Sequence, residues 1–169
     1  MVDPLSVDHA LINQESLAVD SAGSPHTLIS YVPGRFTQCV TDFVEQRRDY
    51  GRVFHLTRNS GGDWRKVEIP VPLDAFGRSR LVFDSDDNAY VVMPFGRIVA
   101  ASKASGWTDW ELLYDASELD VFGEVIVDEP RVADEGVLSI LYQERSWGTT
   151  PSPVRVIDFE IGTRTPRGN

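Results

Sequence analysis

Short apolar runs alternate with polar, glycine-containing turns along most of this chain. The pattern is clearest in residues 79–116, where four runs rich in β-branched and other apolar residues are separated by turns. The runs comprise residues 81–83, 89–93, 97–101 and 110–114. They predict a meander of four short antiparallel strands. A meander of this size cannot bury both of its faces by itself, so we expect neighbouring sheets of the same kind.

The same pattern recurs on both sides of this meander. Upstream, residues 17–26 align without gaps with residues 81–90, and residues 52–57 align with residues 97–102. Trp64 then matches Trp110, so the upstream copy carries an extra segment between about Val32 and Gly51. Downstream, residues 131–142 align with the first hairpin, and residues 153–161 supply a third strand. Repetition of four-stranded units at about 45 residues is typical of β-propeller blades.

We therefore predict an all-β protein of about three four-stranded antiparallel propeller blades that form an incomplete ring. The blades span residues 15–71, 79–116 and 118–161, between an N-terminal edge segment, residues 1–14, and a polar tail, residues 162–169. The third blade lacks a recognisable final strand. Because a closed propeller usually needs about four to eight blades, either the chain is part of a longer propeller or another chain completes its ring. An open stack with charged edges is a third alternative.

The extra segment of the first repeat also contains a helical pattern. Val40, Phe43, Val44 and Arg47 recur at helical spacing within residues 37–48. A short helix is therefore expected between the second and third strands of the first blade.

Composition and charge narrow the class of partner. The chain has 169 residues, 41% of them hydrophobic, which suits one globular domain with an ordinary core. Its formal net charge of −10 repels phosphate backbones, so we predict no nucleic-acid partner. No apolar run approaches the roughly 20 residues of a membrane helix, so no membrane partner is expected. Residues 1–13 lack the pattern of a signal peptide, which leaves a cytoplasmic protein or a fragment of a secreted one.

A turn motif precedes the tryptophan shared by the first two repeats. Residues 57–64 combine a threonine, Asn59, Gly61 and Trp64, and an asparagine side chain can hold such a turn through its backbone amides. Residues 102–110 repeat the motif with Ala104 in the asparagine position. The motif resembles a degenerate Asp box of the BNR (bacterial neuraminidase repeat) family, in the sialidase-like β-propeller superfamily that includes polysaccharide lyases. In that family Asp boxes are structural turns away from the substrate, so they imply fold and not catalysis.

The C-terminal part of the chain extends this resemblance. It resembles the closing blade of BNR-repeat proteins at Gly123-Glu124, Asp128, Arg131, Asp134, residues 136–139, Tyr142-Gln143 and residues 154–159. The full propellers of the family are more than twice as long as this chain. The resemblance implies a carbohydrate-associated propeller segment, with a polysaccharide or oligosaccharide as partner and a homo-oligomer or other propeller half as a further partner. It leaves open whether the segment belongs to a lyase or glycosidase or is a non-catalytic glycan-binding, protein-binding or assembly module.

Candidate catalytic residues lie in and around the extra segment, because loops inserted on a rigid repeat often carry function. Proton abstraction next to a uronate, the chemistry of a lyase, needs a group to offset the carboxylate, a base and a proton donor. Arg35, His55 and Tyr31 are the candidates for these roles. His55 alternates with Phe54 and Leu56, so we expect it to face away from the surface that those two residues bury.

The candidates for substrate binding are polar or aromatic residues of the first repeat and one tryptophan far along the chain. They are Arg58, Tyr50, Arg52, His26 and Trp147. These candidates also have a purely structural interpretation. Tyr31 and His26 can be ordinary strand residues, and the charged side chains of residues 45–49 can pair with one another on a solvent-exposed face.

The four tryptophans divide into two pairs. Trp64 and Trp110 match across the repeats, so we expect them in the core between blades. Trp107 and Trp147 have no counterpart, which leaves them available as surface platforms for a sugar ring. Trp147 lies in a loop, where ligand contacts are common.

No cofactor or metal site is predicted. Asp84, Asp86 and Asp87 are expected to stabilise a turn, because the later glycine and glutamate of a calcium loop are missing. The sequence contains no glycine-rich phosphate loop, zinc-ligand spacing or serine-nucleophile motif.

Overall fold

Three antiparallel sheets organise the structure, a computed structural model that describes residues 2, 3, 5, 9–33, 42–116 and 118–161. Two of the sheets have four strands and one has three. The chain divides into two compact units, Met1–Arg78 and Ser79–Asn169. Sheet one lies in the first unit, and sheets two and three lie in the second. The prediction of an all-β protein is confirmed, and no sheet closes into a barrel among the described residues.

Sheet one is a meander in which consecutive strands are neighbours, in the order β1-β2-β3-β4. Its elements are β1 (Leu11–Val19), β2 (Pro25–Tyr31), α1 (Phe43–Tyr50), β3 (Arg52–Arg58) and β4 (Trp64–Glu68). The helix α1 lies inside the extra segment, between β2 and β3, as the helical spacing predicts. Residues 34–41, which include the start of the expected helix, lie outside the described residues.

Sheet two contains the four strands expected from the apolar runs of residues 79–116. They are β5 (Arg80–Phe83), β6 (Ala89–Val92), β7 (Ile98–Ala101) and β8 (Glu111–Tyr114), again in consecutive order. A single 3-10 turn, Pro94–Gly96, connects β6 to β7. Local turn chemistry and β propensity therefore agree with the final fold in this sheet.

The first hairpin of sheet one is closed by the side chain of Asp20. Its Oδ1 accepts hydrogen bonds from the backbone amides of Ala22 and Ser24, at 3.0 and 2.7 Å. Gly23 adopts a φ of 77°, in the left-handed region that favours glycine. The turn is an Asx turn with its positive-φ residue supplied by glycine.

The first hairpin of sheet two is closed in the same way by Asp84. Its Oδ1 accepts from the backbone amides of Asp86 and Asn88, at 3.0 and 2.8 Å. Asp87 occupies the position that corresponds to Gly23 of sheet one, and it also adopts a positive φ, of 60°. The gapless alignment of residues 17–26 with residues 81–90 is thus confirmed by the geometry of both turns.

The third strands of the two sheets align differently from the sequence-based expectation. That alignment places His55 and Ala100 at equivalent positions. In the sheets, however, Ala100 lies opposite Tyr90, and Thr57 lies opposite His26. Thr57, two residues further along than His55, is therefore the structural counterpart of Ala100.

Sheet three has three strands and a short helix where a repeated hairpin is expected. Its elements are β9 (Ile126–Val127), α2 (Glu129–Glu135), β10 (Val137–Gln143) and β11 (Val154–Glu160), and the sheet order is β11-β10-β9. The alignment of residues 131–142 with the first hairpin is wrong for its first part, since residues 131–135 lie in α2. The Asp128 side chain caps the helix at the amide of Arg131, Pro130 lies in its first turn, and Gly136 ends it with a φ of 66°.

Sheets two and three pack against each other through one apolar cluster in the second unit. Sheet two contributes Val82, Tyr90, Val92, Ile98 and Ala100, and sheet three contributes Leu138, Ile140 and Tyr142. Val132 of α2 joins the same cluster. Each sheet therefore buries one face on the other, as expected for meanders too small to form a core alone.

Candidate functional site in the first sheet

The predicted site residues of the first repeat lie toward opposite ends of sheet one. Tyr31 lies directly opposite Arg52, at the end where the chain leaves for the extra segment and α1. Arg58 lies at the other end of β3, about 20 Å away at 3.3 Å per strand residue. His26 is close to that second end, and His55 lies midway. The third catalytic candidate, Arg35, lies outside the described residues.

A stacked pair of buried histidines occupies the interior near the turn end. His26 on β2 and His55 on β3 are both 0% exposed. Their rings lie 5.1 Å apart between centroids with an angle of 18° between planes. The distance between His26 Nδ1 and His55 Nε2 is 2.9 Å, so one ring donates a hydrogen bond to the other.

Two oxygens near His26 favour one direction for that hydrogen bond. His26 Nε2 lies 3.5 Å from Asp20 Oδ2 and 3.4 Å from the hydroxyl of Thr57. In the tautomer with its proton on Nε2, His26 donates toward Asp20, and its Nδ1 accepts from the Nε2–H of His55. The hairpin turn, the second strand and the third strand are connected by this one network.

Burial strongly disfavours the protonated form of His55. Desolvation, helped by the neighbouring His26 and by the positive charge of Arg65, lowers the pKa of His55 from 6.5 to about 3. His55 is therefore neutral at physiological pH, as a general base must be. Its side chain is nonetheless enclosed within sheet one, because five consecutive residues of β3, from Val53 to Thr57, are buried.

A second cluster surrounds Tyr31 on the opposite face of sheet one. Its ring stacks on Phe54 with centroids 4.3 Å apart, and its hydroxyl accepts a hydrogen bond from Lys66 Nζ at 2.8 Å. Lys66 Nζ also lies 2.9 Å from Asp3 Oδ2. It is about equally distant from the two aromatic rings, at 5.3 Å from the Tyr31 centroid and 5.4 Å from the Phe54 centroid. His9 meets the Tyr31 ring edge to face, at 5.5 Å. Tyr31 is 3% exposed, so this cluster holds a strand aromatic beneath a cation.

Hydrogen bonds outweigh burial at Lys66. Partial desolvation alone would lower its pKa, but the bonds to Tyr31 and Asp3 raise the pKa above its usual value. Lys66 therefore stays cationic over the two rings.

The remaining polar candidates of the first unit hold local structure. Arg52 donates to the carbonyl of Gly51 at 2.9 Å, and its Nε lies 3.6 Å from Glu68. Arg58 is exposed and donates to the carbonyl of Gly62 at 3.0 Å, which braces the β3–β4 turn. Tyr50 is partly buried at the C-terminal end of α1.

The tryptophans of the second unit separate into buried and exposed residues. Trp110 is buried, as expected for a core position. Trp107, a predicted platform, donates its indole N–H to the carbonyl of Asp87 at 2.9 Å and packs edge to face with Phe83. Trp147 is 72% exposed, and the guanidinium of Arg145 lies over its ring, 5.9 Å from the centroid.

Two residues of these clusters were not singled out by sequence reasoning. Asp20 enters the sequence analysis only within the alignment of residues 17–26 with residues 81–90. The spacing from Asp20 to His26 nevertheless repeats as that from Asp84 to Tyr90, and the hydroxyl of Tyr90 donates to Asp84 Oδ2 at 3.1 Å. Lys66 carried no signal at all, because its partners Tyr31 and Asp3 are distant in the chain.

Two further features are absent from the described residues. None of the groups of histidine, cysteine, aspartate and glutamate among them has the arrangement of a metal site. Within the same part of the chain, no helix has the length and apolar character needed to cross a membrane.

Sheets one and two are open four-stranded meanders whose first hairpins are closed by the same type of aspartate turn. The chain is therefore an all-β protein that contains a repeated meander. Residues 1–71 match the model of the BNR repeat-containing family. The resemblance to BNR repeats is thereby confirmed for the segment that forms sheet one. The matched segment is less than half of the chain. No curated protein matches the chain.

Proposed function

We propose that this chain is a carbohydrate-associated segment of a sialidase-like β-propeller. The observation that carries the proposal is the repeated hairpin, in which Asp20 and Asp84 close equivalent turns of two four-stranded sheets. The first of these sheets lies in the part of the chain that matches the BNR repeat-containing family. Four-stranded meanders in series are the building units of propellers.

The β3–β4 turn supports the Asp-box interpretation. Asn59 Oδ1 accepts from the amide of Asp63 at 2.9 Å, and its backbone carbonyl accepts from Gly62 at 3.0 Å. The asparagine thus holds the turn just before Trp64. In sheet two, where Ala104 replaces the asparagine, the carboxylate of Asp109 accepts from Ser102 and stabilises the corresponding turn.

Burial of the candidate base favours the non-catalytic alternative for this chain. The side chain of His55 is 0% exposed, and the hydroxyl of Tyr31 is bonded to Lys66. Neither group faces solvent where a sugar would approach. Catalysis through Arg35, His55 and Tyr31 therefore requires an opening of sheet one, whereas glycan binding at the exposed Trp147 does not.

Calorimetric titration of the full chain with neutral and uronate-containing oligosaccharides tests the carbohydrate role. We expect binding that Trp147→Ala weakens by roughly tenfold or more, as for an exposed aromatic anchor. Phe76→Ala, which removes another exposed aromatic ring, is the matched control and should bind as the unaltered chain does. Absence of binding to every glycan class would reject the carbohydrate role.

Incubation with uronate polysaccharides separates the catalytic and non-catalytic versions. Elimination creates a carbon–carbon double bond in the product, which absorbs in the ultraviolet. Product that disappears in His55→Ala and Tyr31→Phe would support the catalytic assignment. Binding without product would support the glycan-binding module.

A further inference from the structure

An arginine lies against two exposed aromatic rings beside the loop that joins β10 to β11. The guanidinium carbon of Arg145 is 5.8 Å from the centroid of the Phe122 ring and 5.9 Å from that of the Trp147 ring. Phe122 is 53% exposed and Trp147 is 72% exposed, so the cation covers only part of each ring. We define Phe122, Arg145 and Trp147 as the arginine platform.

Backbone hydrogen bonds hold the cation of the platform beside the Phe122 ring. The amide of Phe122 donates to the carbonyl of Gln143 at 2.8 Å, and the amide of Arg145 donates to the carbonyl of Asp120 at 2.7 Å. The bridge between these two bonds is antiparallel, which makes Phe122 and Arg145 diagonal neighbours within reach of each other. Their relative position is therefore set before any ligand binds, and this lowers the cost of ordering the site.

The charge of Arg145 is not neutralised within the part of the chain that the structure describes. Its neighbour in sequence, Glu144, is already paired with Arg155. Asp120 accepts from the backbone amide of Arg145 but makes no ion pair with its side chain. Among the described residues, the guanidinium contacts the two rings and no hydrogen-bond acceptor. Its N–H groups therefore remain available to an acceptor on a ligand.

The two kinds of group in the platform match the two parts of an acidic sugar. A guanidinium presents N–H donors in a planar fork that fits both oxygens of a carboxylate, through charge-assisted hydrogen bonds. Exposed aromatic rings supply rigid apolar area on which the C–H face of a sugar ring can pack. A uronate residue offers a carboxylate and such a face together, whereas a neutral sugar offers no charge to the cation.

We propose that the arginine platform binds a uronate residue of a glycan, with Arg145 holding the carboxylate and the two rings packing against sugar rings. Arg145 is then the residue that makes this chain prefer acidic glycans to neutral ones. The inference rests on the carbohydrate role of the chain, and it adds the class of sugar and the residue that selects it.

Calorimetric titration with matched pairs of glycans tests this selection. Oligomers of galacturonate and of glucuronate are each compared with their methyl esters, which have the same sugar rings without the charge. We expect the full chain to bind an acid form roughly tenfold or more tightly than its ester, because only the acid form makes charge-assisted hydrogen bonds. Arg145→Gln should lower the affinity for the acid form to that for the ester and leave the affinity for the ester unchanged.

Two further variants separate the planar fork from the charge. Arg145→Lys keeps the charge but not the fork, so it should retain only part of the preference for the acid form. Arg48→Gln removes the same charge from the exposed pair of Arg48 with Asp49 and is the matched control, which should keep the full preference. Loss of the preference in Arg48→Gln would mean that net charge selects the ligand, and it would overturn the proposal.

The remaining outcomes distinguish failure of this inference from failure of the carbohydrate role. Equal affinity for the acid and ester forms would leave the carbohydrate role in place and overturn selection by Arg145. An Arg145→Gln chain that binds both forms more weakly by the same factor would show that Arg145 only supports the loop, which also overturns it. Tighter binding of a glutamate oligopeptide than of any uronate oligomer would assign the platform to acidic peptides instead. Absence of binding to every glycan would reject both the inference and the carbohydrate role.

Discussion

Single aspartates close the first hairpins of sheets one and two and connect each turn to the second strand. Asp84 accepts four hydrogen bonds, from two backbone amides of the turn, from the side-chain amide of Asn88 and from the hydroxyl of Tyr90. Asp20 accepts from its own two turn amides and faces His26. The residue on the second strand is His26 in sheet one and Tyr90 in sheet two. In each sheet this residue is buried, and its polar group faces the carboxylate of the turn aspartate.

Replacing Asp84 should destabilise the second unit. Asp84→Ala removes the acceptor for two turn amides and for the buried Tyr90 hydroxyl, and we expect a loss of about 1–3 kcal/mol in the free energy of unfolding. Urea denaturation gives this value. Asp86→Ala removes an exposed carboxylate from the same turn and should change stability by less than about 0.5 kcal/mol. Equal losses in the two variants would contradict the role assigned to Asp84.

The buried histidine pair should make stability depend on pH in the acid range. The pKa of His55 is about 3 in the folded chain, below its ordinary value of 6.5 in an unfolded chain, so between these values only the unfolded chain is protonated at this position. Stability from this residue is therefore complete above pH 6.5 and falls as the pH decreases toward 3, by up to about 1.4 kcal/mol per pH unit.

Comparison with His55→Leu isolates this contribution. The leucine variant cannot take up the proton, so its stability should depend less steeply on pH between about 3 and 6.5. Urea midpoints of both chains at a series of pH values measure the difference. Parallel curves would show that His55 is not the group responsible.

Among the structural elements, the short helix α2 shows that end signals can override a repeated strand pattern. Asp128, Pro130 and Gly136 supply a cap, a preset first turn and a left-handed end within a single short segment. Arg131 on this helix then reaches sheet three, where it binds Asp158 at 3.0 Å. The helix thus replaces a strand hairpin while remaining attached to β11.

The β7–β8 turn depends on a residue that the Asp-box pattern does not contain. Asp109 accepts from the backbone amide and hydroxyl of Ser102, at 2.8 and 2.7 Å, and from the hydroxyl of Ser105 at 2.6 Å. Desolvation opposes ionisation of Asp109, but these hydrogen bonds outweigh it and lower its pKa.

Asp109→Ala should therefore loosen the edge of sheet two. We expect a loss of about 1–2 kcal/mol at neutral pH and faster hydrogen exchange in β8 than in β6. Because the pKa of Asp109 is lowered on folding, the difference from the parent chain should shrink as the pH falls below 3.8. Asp115→Ala, an exposed carboxylate after β8, serves as control. Unchanged exchange in β8 would contradict the prediction.

For the whole molecule, the dominant electrostatic fact is the formal net charge of −10. Self-repulsion of such a charge opposes the compact state, and salt screens it, since the Debye length falls from about 30 Å at 0.01 M to about 8 Å at 0.15 M. Exposed ion pairs, such as Arg48 with Asp49, contribute little to the free energy of unfolding. Screening of these pairs by salt should therefore cost little stability.

Added sodium chloride should therefore stabilise the chain at neutral pH. We expect the urea midpoint to rise between these two ionic strengths, and a neutral osmolyte at matched osmolality to serve as the control for effects unrelated to charge. A midpoint that falls with salt would mean that specific ion pairs outweigh the repulsion of the net charge.

The local elements of this protein are predictable from its residues without a structure. The four strands of sheet two and the two aspartate turns follow from β propensity and turn chemistry, which act between residues close in the chain. The BNR resemblance rests on the same local motifs, and the family match supports it for residues 1–71.

The surroundings of the candidate site, by contrast, depend on how distant parts of the chain pack together. Alternation showed that His55 and Phe54 face opposite sides of β3, but it could not show that both sides are covered. The pairing of His26 with His55, and of Tyr31 with Lys66, joins residues far apart in sequence, so it depends on strand register. Register is fixed by packing and by the length of the connection between strands, neither of which is encoded in a local pattern of residues.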